Sequence, residues 1–312
     1  MTKKTILVFA YSDVGHACLS YLLERGEPVA AVYTHEDGPS ETIWFPSVLK
    51  LAQEKKIPVR TVSSLKSAEE QSFIASLSPD LIFSFYYRNM IPMEVLRSAS
   101  LGAYNMHGSL LPKYRGRAPI NWAVLHGEKE TGVTLHVMVE KPDAGDIVDQ
   151  ESVPIGLDDT SALVQARVTK AAVTVLSRQI DLLKEGRSPR TPQDASEATY
   201  FGRRKPEDGR IDWNRPAQDI HNLVRAVAHP YPGAYADIHG IKTYIWASRL
   251  SGDLRLDKKP GEGACDGDRF FIQCGDGRAL EVVSAQREGE KETTGSGLAP
   301  ILNHNIKKRG TQ

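Results

Sequence analysis

Short apolar runs alternate with helix-patterned stretches from residue 6 to residue 106, and that alternation restricts the fold more than any other feature of this 312-residue chain. Ile6 to Tyr11 is an apolar run of strand formers, and Val14 to Arg25 follows with helical spacing, stopped by Gly26. Pro28 to Thr34 reads as a second strand, Pro46 to Lys55 as a helix and Val59 to Val62 as a short strand. Ala68 to Leu77 then reads as a helix, with strands at Leu81 to Tyr86 and Gly102 to Met106. Strands separated by helices must run parallel, because only a crossover long enough to hold a helix returns the chain to the same sheet edge. The expectation is an α/β fold with a doubly wound, Rossmann-like, mostly parallel sheet. Such sheets hold ligands beyond the carboxyl ends of their strands, which directs attention to Tyr11, Thr34, Phe85 and Asn105.

Further along, Ala118 to His126 reads as a helix, and Thr131 to Val139 as a strand with Ile147 to Val153 as its antiparallel partner. The turn-rich Glu140 to Asp146 joins those two strands. A long amphipathic helix runs from Ser161 to Glu185, with Asp158, Asp159 and Thr160 as candidate caps. Polar Gly186 to Ala198 contains Pro189 and Pro192 and reads as a linker. From Phe201 the pattern changes to short apolar runs separated by Gly and Asp, the signature of a small, OB-like β-barrel. The expected division is a catalytic domain over 1–188, a linker over 189–202 and a barrel over 203–312.

Composition removes several function classes. Lys and Arg number 39, as do Asp and Glu, so no global charge attracts a nucleic acid or a membrane surface. Cys18, Cys265 and Cys274 are too few and too irregularly spaced for a disulfide framework or a structural zinc site, and a reducing, cytoplasmic setting is expected. No apolar run reaches membrane-span length. Tyr11-Ser12-Asp13-Val14-Gly15 carries neither G-x-G-x-x-G nor a P-loop, which disfavours nicotinamide, flavin and nucleoside triphosphate chemistry. H-E-x-x-H and G-x-S-x-G are absent as well, so neither a catalytic metal nor an elbow serine is expected.

What stands out is Asn105-Met106-His107-Gly108-Ser109-Leu110-Leu111-Pro112. Residues two apart on a strand share a face, so Asn105 and His107 can converge on one reacting group. An amide donor beside an imidazole suits a reaction that builds a negative oxygen and then moves a proton. A hydrogen-bonding loop histidine and a turn asparagine explain the pair equally well. Asp143 is the carboxylate that would orient His107 and hold it protonated near neutral pH, against its simpler reading as a turn residue before Gly145. Asp13 reads as a loop residue, Cys18 as a small core residue, and His16, His126, His136 and His229 as structural.

With Asp143-Ala144-Gly145 downstream, the N-x-H and S-L-L-P segments resemble the formyltransferases that use 10-formyltetrahydrofolate, and the resemblance extends over nearly the whole chain. It implies that Asn105 is the oxyanion donor, His107 the proton donor and Asp143 the group that raises the pKa of His107. The folate side would be formed by Asn89, Met90 and Ile91, by Arg117, and by Val139, Glu140, Lys141, Pro142 and Asp143. Phe83 to Arg88, Pro112 to Pro119, Phe201 to Arg204 and Val224 to Ala228 look most like the family members that formylate UDP-4-amino-4-deoxy-L-arabinose in lipid A modification and polymyxin resistance. The implied partner is thus a nucleotide-linked amino sugar, with Arg203 and Arg204 as candidate holders of its diphosphate.

A methionyl-tRNA formyltransferase has the same core, and a non-catalytic folate- or nucleotide-binding module is a second alternative. Against the first, the segment after the second strand, Thr34 to Thr42, carries Glu36, Asp37 and Glu41, which repel phosphates. From residue 201 onward 18 basic side chains stand against 15 acidic ones, too small an excess for a nucleic-acid surface. Against the second, Asn105, His107 and Asp143 are all present.

Overall fold

The structure, a computed structural model, describes residues 4–38 and 43–302; of the acidic segment, Glu41 lies outside the described residues. Two compact units divide the chain. The first comprises Met1–Pro119, Glu130–Pro154 and Gln165–Gly202, and the second Ile120–Lys129, Ile155–Val164 and Arg203–Gln312.

The first unit is built on β1 (Ile6–Ala10), β2 (Val29–Tyr33), β3 (Val59–Arg60), β4 (Leu81–Phe85) and β5 (Gly102–His107), with α1 (Ser12–Glu24), α2 (Val48–Glu54), α3 (Ala68–Leu77) and the short α4 (Met93–Arg97) between strands. The sheet order is β3-β2-β1-β4-β5-β7-β8, where β7 is Glu130–Val137 and β8 is Ile147–Pro154. The pairings among β1 to β5 are parallel, and β5 with β7 and β7 with β8 are antiparallel. This is the mostly parallel sheet that the alternation predicted. Every residue of β1 and β4 is buried, which is why those strands read as nearly continuous apolar runs, interrupted only by Ser84, rather than alternating ones. One core layer gathers Leu7, Phe9, Tyr33 and Ile82 with Ile74, Ile91 and Val95, and the rings of Phe9 and Tyr33 stack at 4.9 Å.

α1 is anchored by a side chain the sequence left as a loop residue. Asp13, in its first turn, accepts hydrogen bonds from Gln165 and Thr169 on α6 (Ser161–Lys184). Cys18 is fully buried on the same helix, and burial pushes its thiol pKa up, so it is the core residue the sequence suggested.

The segment 189–202, expected as a linker, makes ordered contacts within the first unit. Thr191 exchanges two backbone hydrogen bonds with Ile147, and β6 (Arg115–Gly116) pairs in parallel with β9 (Tyr200–Phe201). Glycine is required at position 116. Its φ is +100°, and a Cβ there would overlap the carbonyl oxygen of Phe201.

In the second unit, where the short apolar runs predicted the strands of a small barrel, β10 (Ala234–Ile238), β11 (Ile241–Leu250), β12 (Gly263–Asp266), β13 (Arg269–Gln273), β14 (Ala279–Arg287) and β15 (Thr293–Thr294) form a six-stranded antiparallel sheet. α5 (Pro119–Leu125) lies mostly in this unit, and α7 (Ala217–Val227) and α8 (Leu298–Leu302) complete it. α7 was not read from the sequence, although Ala217, Ile220, Val224 and Val227 recur at helical spacing; its buried residues also include His221, Asn222 and Arg225. Those polar groups are satisfied locally. His221 lies 3.0 Å from both the Ser248 hydroxyl and the Leu157 carbonyl, and Arg225 donates to the carbonyls of Gly156 and Asp159.

Candidate active site

β5 sets the site. Its antiparallel register puts Asn105 opposite His136 and His107 opposite Thr134, and directly opposed residues share a sheet face. Four polar side chains therefore stand together on one face of the strand pair. Thr134 ties down the loop after β5. Its hydroxyl donates to the Ser109 carbonyl at 2.6 Å and accepts from the Leu111 amide and from Gln150. The buried Ser109 hydroxyl donates to the Lys113 carbonyl at 2.7 Å, so the S-L-L-P segment holds shape rather than supplying a nucleophile.

Asn105 and His107 are brought together with Asp143, as the sequence expected. The Asp143 carboxylate oxygen Oδ1 lies 3.5 Å from Nδ1 of His107 and 3.6 Å from Nε2 of His136. The other oxygen, Oδ2, accepts from the Gly116 amide at 2.9 Å. His107 Nε2 is 2.8 Å from the Tyr114 carbonyl. Asn105 donates from Nδ2 to His136 Nε2 at 3.1 Å, which leaves the second N–H of that amide for a ligand. Two of these backbones are left-handed, Asp143 at φ +56° and Tyr114 at φ +58°, a cost that persists only where surrounding bonds enforce it.

The electrostatics differ from the expectation in one respect. Burial lowers the pKa of His107, and although Asp143 pushes it back up, the net direction is down, so the resting imidazole is neutral at neutral pH. Asp143 moves the other way. Burial opposes its charge, but His107, His136 and the Gly116 amide outweigh that and hold the carboxyl well below the usual carboxylate range. A neutral imidazole against an ionised carboxylate is a base ready to accept a proton, with a counter-charge in place for the imidazolium that results.

The residues expected on the folate side fall into two groups. Met90 is 67% exposed and Val139 is 40% exposed. Glu140 lines a shallow recess of about 590 Å3 with Lys66, Pro92, Met93 and Arg97, so the stretch after Ile91 and the loop after β7 meet. Asn89, Arg117, Lys141 and Pro142 are exposed. Ile91 is 5% exposed and belongs to the core, which leaves its backbone as the part able to meet a ligand.

Arg203 and Arg204 fall in the second unit. Arg203 is exposed. The Arg204 guanidinium lies 4.9 Å over the Trp122 ring and donates from Nη2 to the Asp208 carbonyl, while its buried Nε and Nη1 have no hydrogen-bond partner among the described residues. It lines a cleft of about 470 Å3 with Arg210, Arg215 and His126, where Asp208, Asp212 and Asp219 balance the charge.

His136, Arg115 and Gln193 were not anticipated as site residues. The polar His136 recurring in the alternation of β7 was the available signal, but its meaning depends on register with β5. Gln193 carried none, because its partner lies 50 residues away. Among the described residues no group of acidic, His or Cys side chains could hold a metal ion, and no helix is long and apolar enough to cross a membrane.

Residues 3–180 match the family model described as formyl transferase, and residues 203–300 match that of the formyl transferase C-terminal domain. Among solved structures, the chain is similar to WlaRD, a sugar 3N-formyl transferase crystallised with dTDP and 5-N-formyl-THF, at 21% identity and a TM-score of 0.70 over 93% of this chain and 100% of that one. It is similar also to the N-formyltransferase from Helicobacter canadensis in complex with folinic acid and dTDP-3-aminofucose, at 22% identity and a TM-score of 0.66 over 92% and 100%. A 4-N formyltransferase from Francisella tularensis matches at 23% identity and a TM-score of 0.64 over 83% and 100%. At these identities the structures speak for the fold, while the two family matches, over sequence that includes Asn105, His107 and Asp143, place this chain in the formyl transferase family.

Proposed function

We propose that this chain transfers a formyl group from 10-formyltetrahydrofolate to the amine of a nucleotide-linked amino sugar. The acceptor is UDP-4-amino-4-deoxy-L-arabinose, in the service of lipid A modification and polymyxin resistance. The observation that carries the chemistry is the approach of Asn105, His107, His136 and Asp143 on one sheet face. Neighbours whose names record folate and dTDP-sugar ligands support the substrate class. The exposed Met90 and Val139 fit the folate side.

The sugar amine attacks the formyl carbon, and neutral His107, whose Nε2 hydrogen is held by the Tyr114 carbonyl, takes at Nδ1 the proton that the attacking nitrogen sheds. The free N–H of Asn105 donates to the carbonyl oxygen as it becomes an oxyanion. His107 then returns its proton to the departing folate nitrogen, and Asp143 stabilises the imidazolium between the two transfers. No metal takes part in this sequence.

The arabinose acceptor rests on Phe83 to Arg88, Pro112 to Pro119 and Phe201 to Arg204, and the acidic Glu36 and Asp37 argue against transfer RNA. A competition assay tests this. The protein is given 10-formyltetrahydrofolate with UDP-4-amino-4-deoxy-L-arabinose, other UDP- and dTDP-linked amino sugars, and methionyl-tRNA, and products are identified by mass. Preferred formylation of the arabinose derivative is expected. Formylation of another sugar corrects the acceptor, and formylation of the tRNA alone overturns the reading.

A further inference from the structure

Asp143 sits in a turn whose own bonds do not explain its position. Its φ is left-handed, it is followed by Ala144 and Gly145, and the turn-forming bond from the Ala144 amide to the Lys141 carbonyl is long at 3.3 Å. What holds the turn comes from the segment that precedes β9. The Gln193 side-chain amide donates both its hydrogens to this turn, one to the Asp143 carbonyl at 3.0 Å and one to the Gly145 carbonyl at 2.6 Å. Its oxygen accepts from Nε and Nη2 of Arg115 at 3.1 and 2.6 Å. All the bonding capacity of that amide is in use. Arg115 is 3% exposed, and its remaining terminal nitrogen, Nη1, donates to the Tyr200 hydroxyl at 2.6 Å. Lys141, at the other end of the turn, lies 5.2 Å over the Tyr200 ring. The residue after Arg115 is Gly116, whose amide binds the Asp143 carboxylate.

We propose that Gln193, held by Arg115 and Tyr200, is a positioning residue that clamps the Asp143 turn so that its carboxylate meets His107. The clamp grips the backbone of Asp143 on one side while Gly116 grips the carboxylate on the other, and one strand pairing, β6 with β9, sets the distance between them. A carboxylate 3.5 Å from an imidazole nitrogen is sensitive to small displacements, because both its interaction with the ring and its bond to Gly116 depend on the same turn. The charged and polar groups facing His107 are Asp143, His136, Arg115 and the Tyr114 carbonyl, so loss of the clamp removes the one anion among them.

This inference rests on the proposed reaction for its kinetic arm, and a second arm does not. Gln193→Met keeps the side chain's length and neutrality while removing both donors and the acceptor, and Gln193→Ala removes the contact altogether. Turnover by Gln193→Met is expected to fall about a hundredfold, as for an ångström-scale misplacement of a reacting group, with the KM for the amine acceptor little changed. Independently of turnover, imidazole NMR is expected to show His107 titrating at lower pH in Gln193→Met than in the wild type, in the direction of Asp143→Asn. Thermal melts report the folding of each variant, and Arg115→Lys, which keeps the charge but loses the two-nitrogen grip on Gln193, is expected to shift His107 the same way. Wild-type turnover and an unmoved His107 in folded Gln193→Met or Arg115→Lys overturn the proposal. Absence of turnover in the wild type defeats the proposed function instead, while the His107 titration still judges the clamp.

Discussion

His107 is buried between a carbonyl and a carboxylate, and that position determines how acid acts on the protein. Its pKa lies below the ordinary 6.5 because burial penalises the charged ring, and His221 is lowered for the same reason. The unfolded chain therefore binds more protons than the folded one as pH falls, so their contribution to stability is full above about pH 6.5 and is lost as pH drops through the folded values. Asp143, held below 3.8, adds a second loss at lower pH. Urea melts between pH 7 and pH 5 should show a smaller loss of stability in His107→Gln than in the wild type; equal losses would contradict the neutral assignment. At the same scale, Asn105→Ala should lower kcat by about a hundredfold or more, the usual cost of one oxyanion donor, with donor binding retained in a fluorescence titration. An effect on KM alone would remove Asn105 from the chemistry. The strand spacing of Asn105 and His107 and the turn around Asp143 made them candidates but left simpler readings open, and it was the family resemblance that singled the three out. His136 and Gln193 were not legible, since cross-strand register and a contact spanning 50 residues leave no local pattern.

Among the elements, the pairing of β6 with β9 spans only two residue pairs, yet it carries the geometry of the site. Gly116→Ala places a Cβ at φ +100° against the Phe201 carbonyl, and should cost about 1–3 kcal/mol in strain alone. The expected result is a lower unfolding midpoint together with a loss of turnover, because the same backbone amide binds Asp143. An alanine variant with wild-type stability and rate would show that the pairing is dispensable. Strands β1, β2, β4 and β5 were visible from apolar runs because both sheet faces are covered, and the helices between them from their spacing. Of the two-residue strands, β3 was read within Val59 to Val62, whereas β6, β9 and β15 were not, having too few residues to display a period. α7 was missed although Ala217, Ile220, Val224 and Val227 recur at helical spacing, with the buried Asn222 and Arg225 bonded to neighbouring groups.

Across the whole molecule, 39 basic residues offset 39 acidic ones, and the segment after β2 adds Glu36 and Asp37 at the surface side of the sheet's carboxyl edge. Binding of methionyl-tRNA should accordingly be negligible in a mobility-shift titration even at low salt, where counterion release favours complexes most. A tight, salt-sensitive complex would mean that local charge had been misjudged. Formyl transfer through a neutral imidazole is the central step of the proposed reaction. The most direct measurement is a single-turnover experiment with saturating 10-formyltetrahydrofolate and UDP-4-amino-4-deoxy-L-arabinose, following formyl appearance on the amine in the wild type and in His107→Gln. The predicted result is transfer by the wild type and a rate at least about a hundredfold lower in the variant, the usual contribution of a general base, with folate binding intact. Equal rates in the two proteins would contradict it.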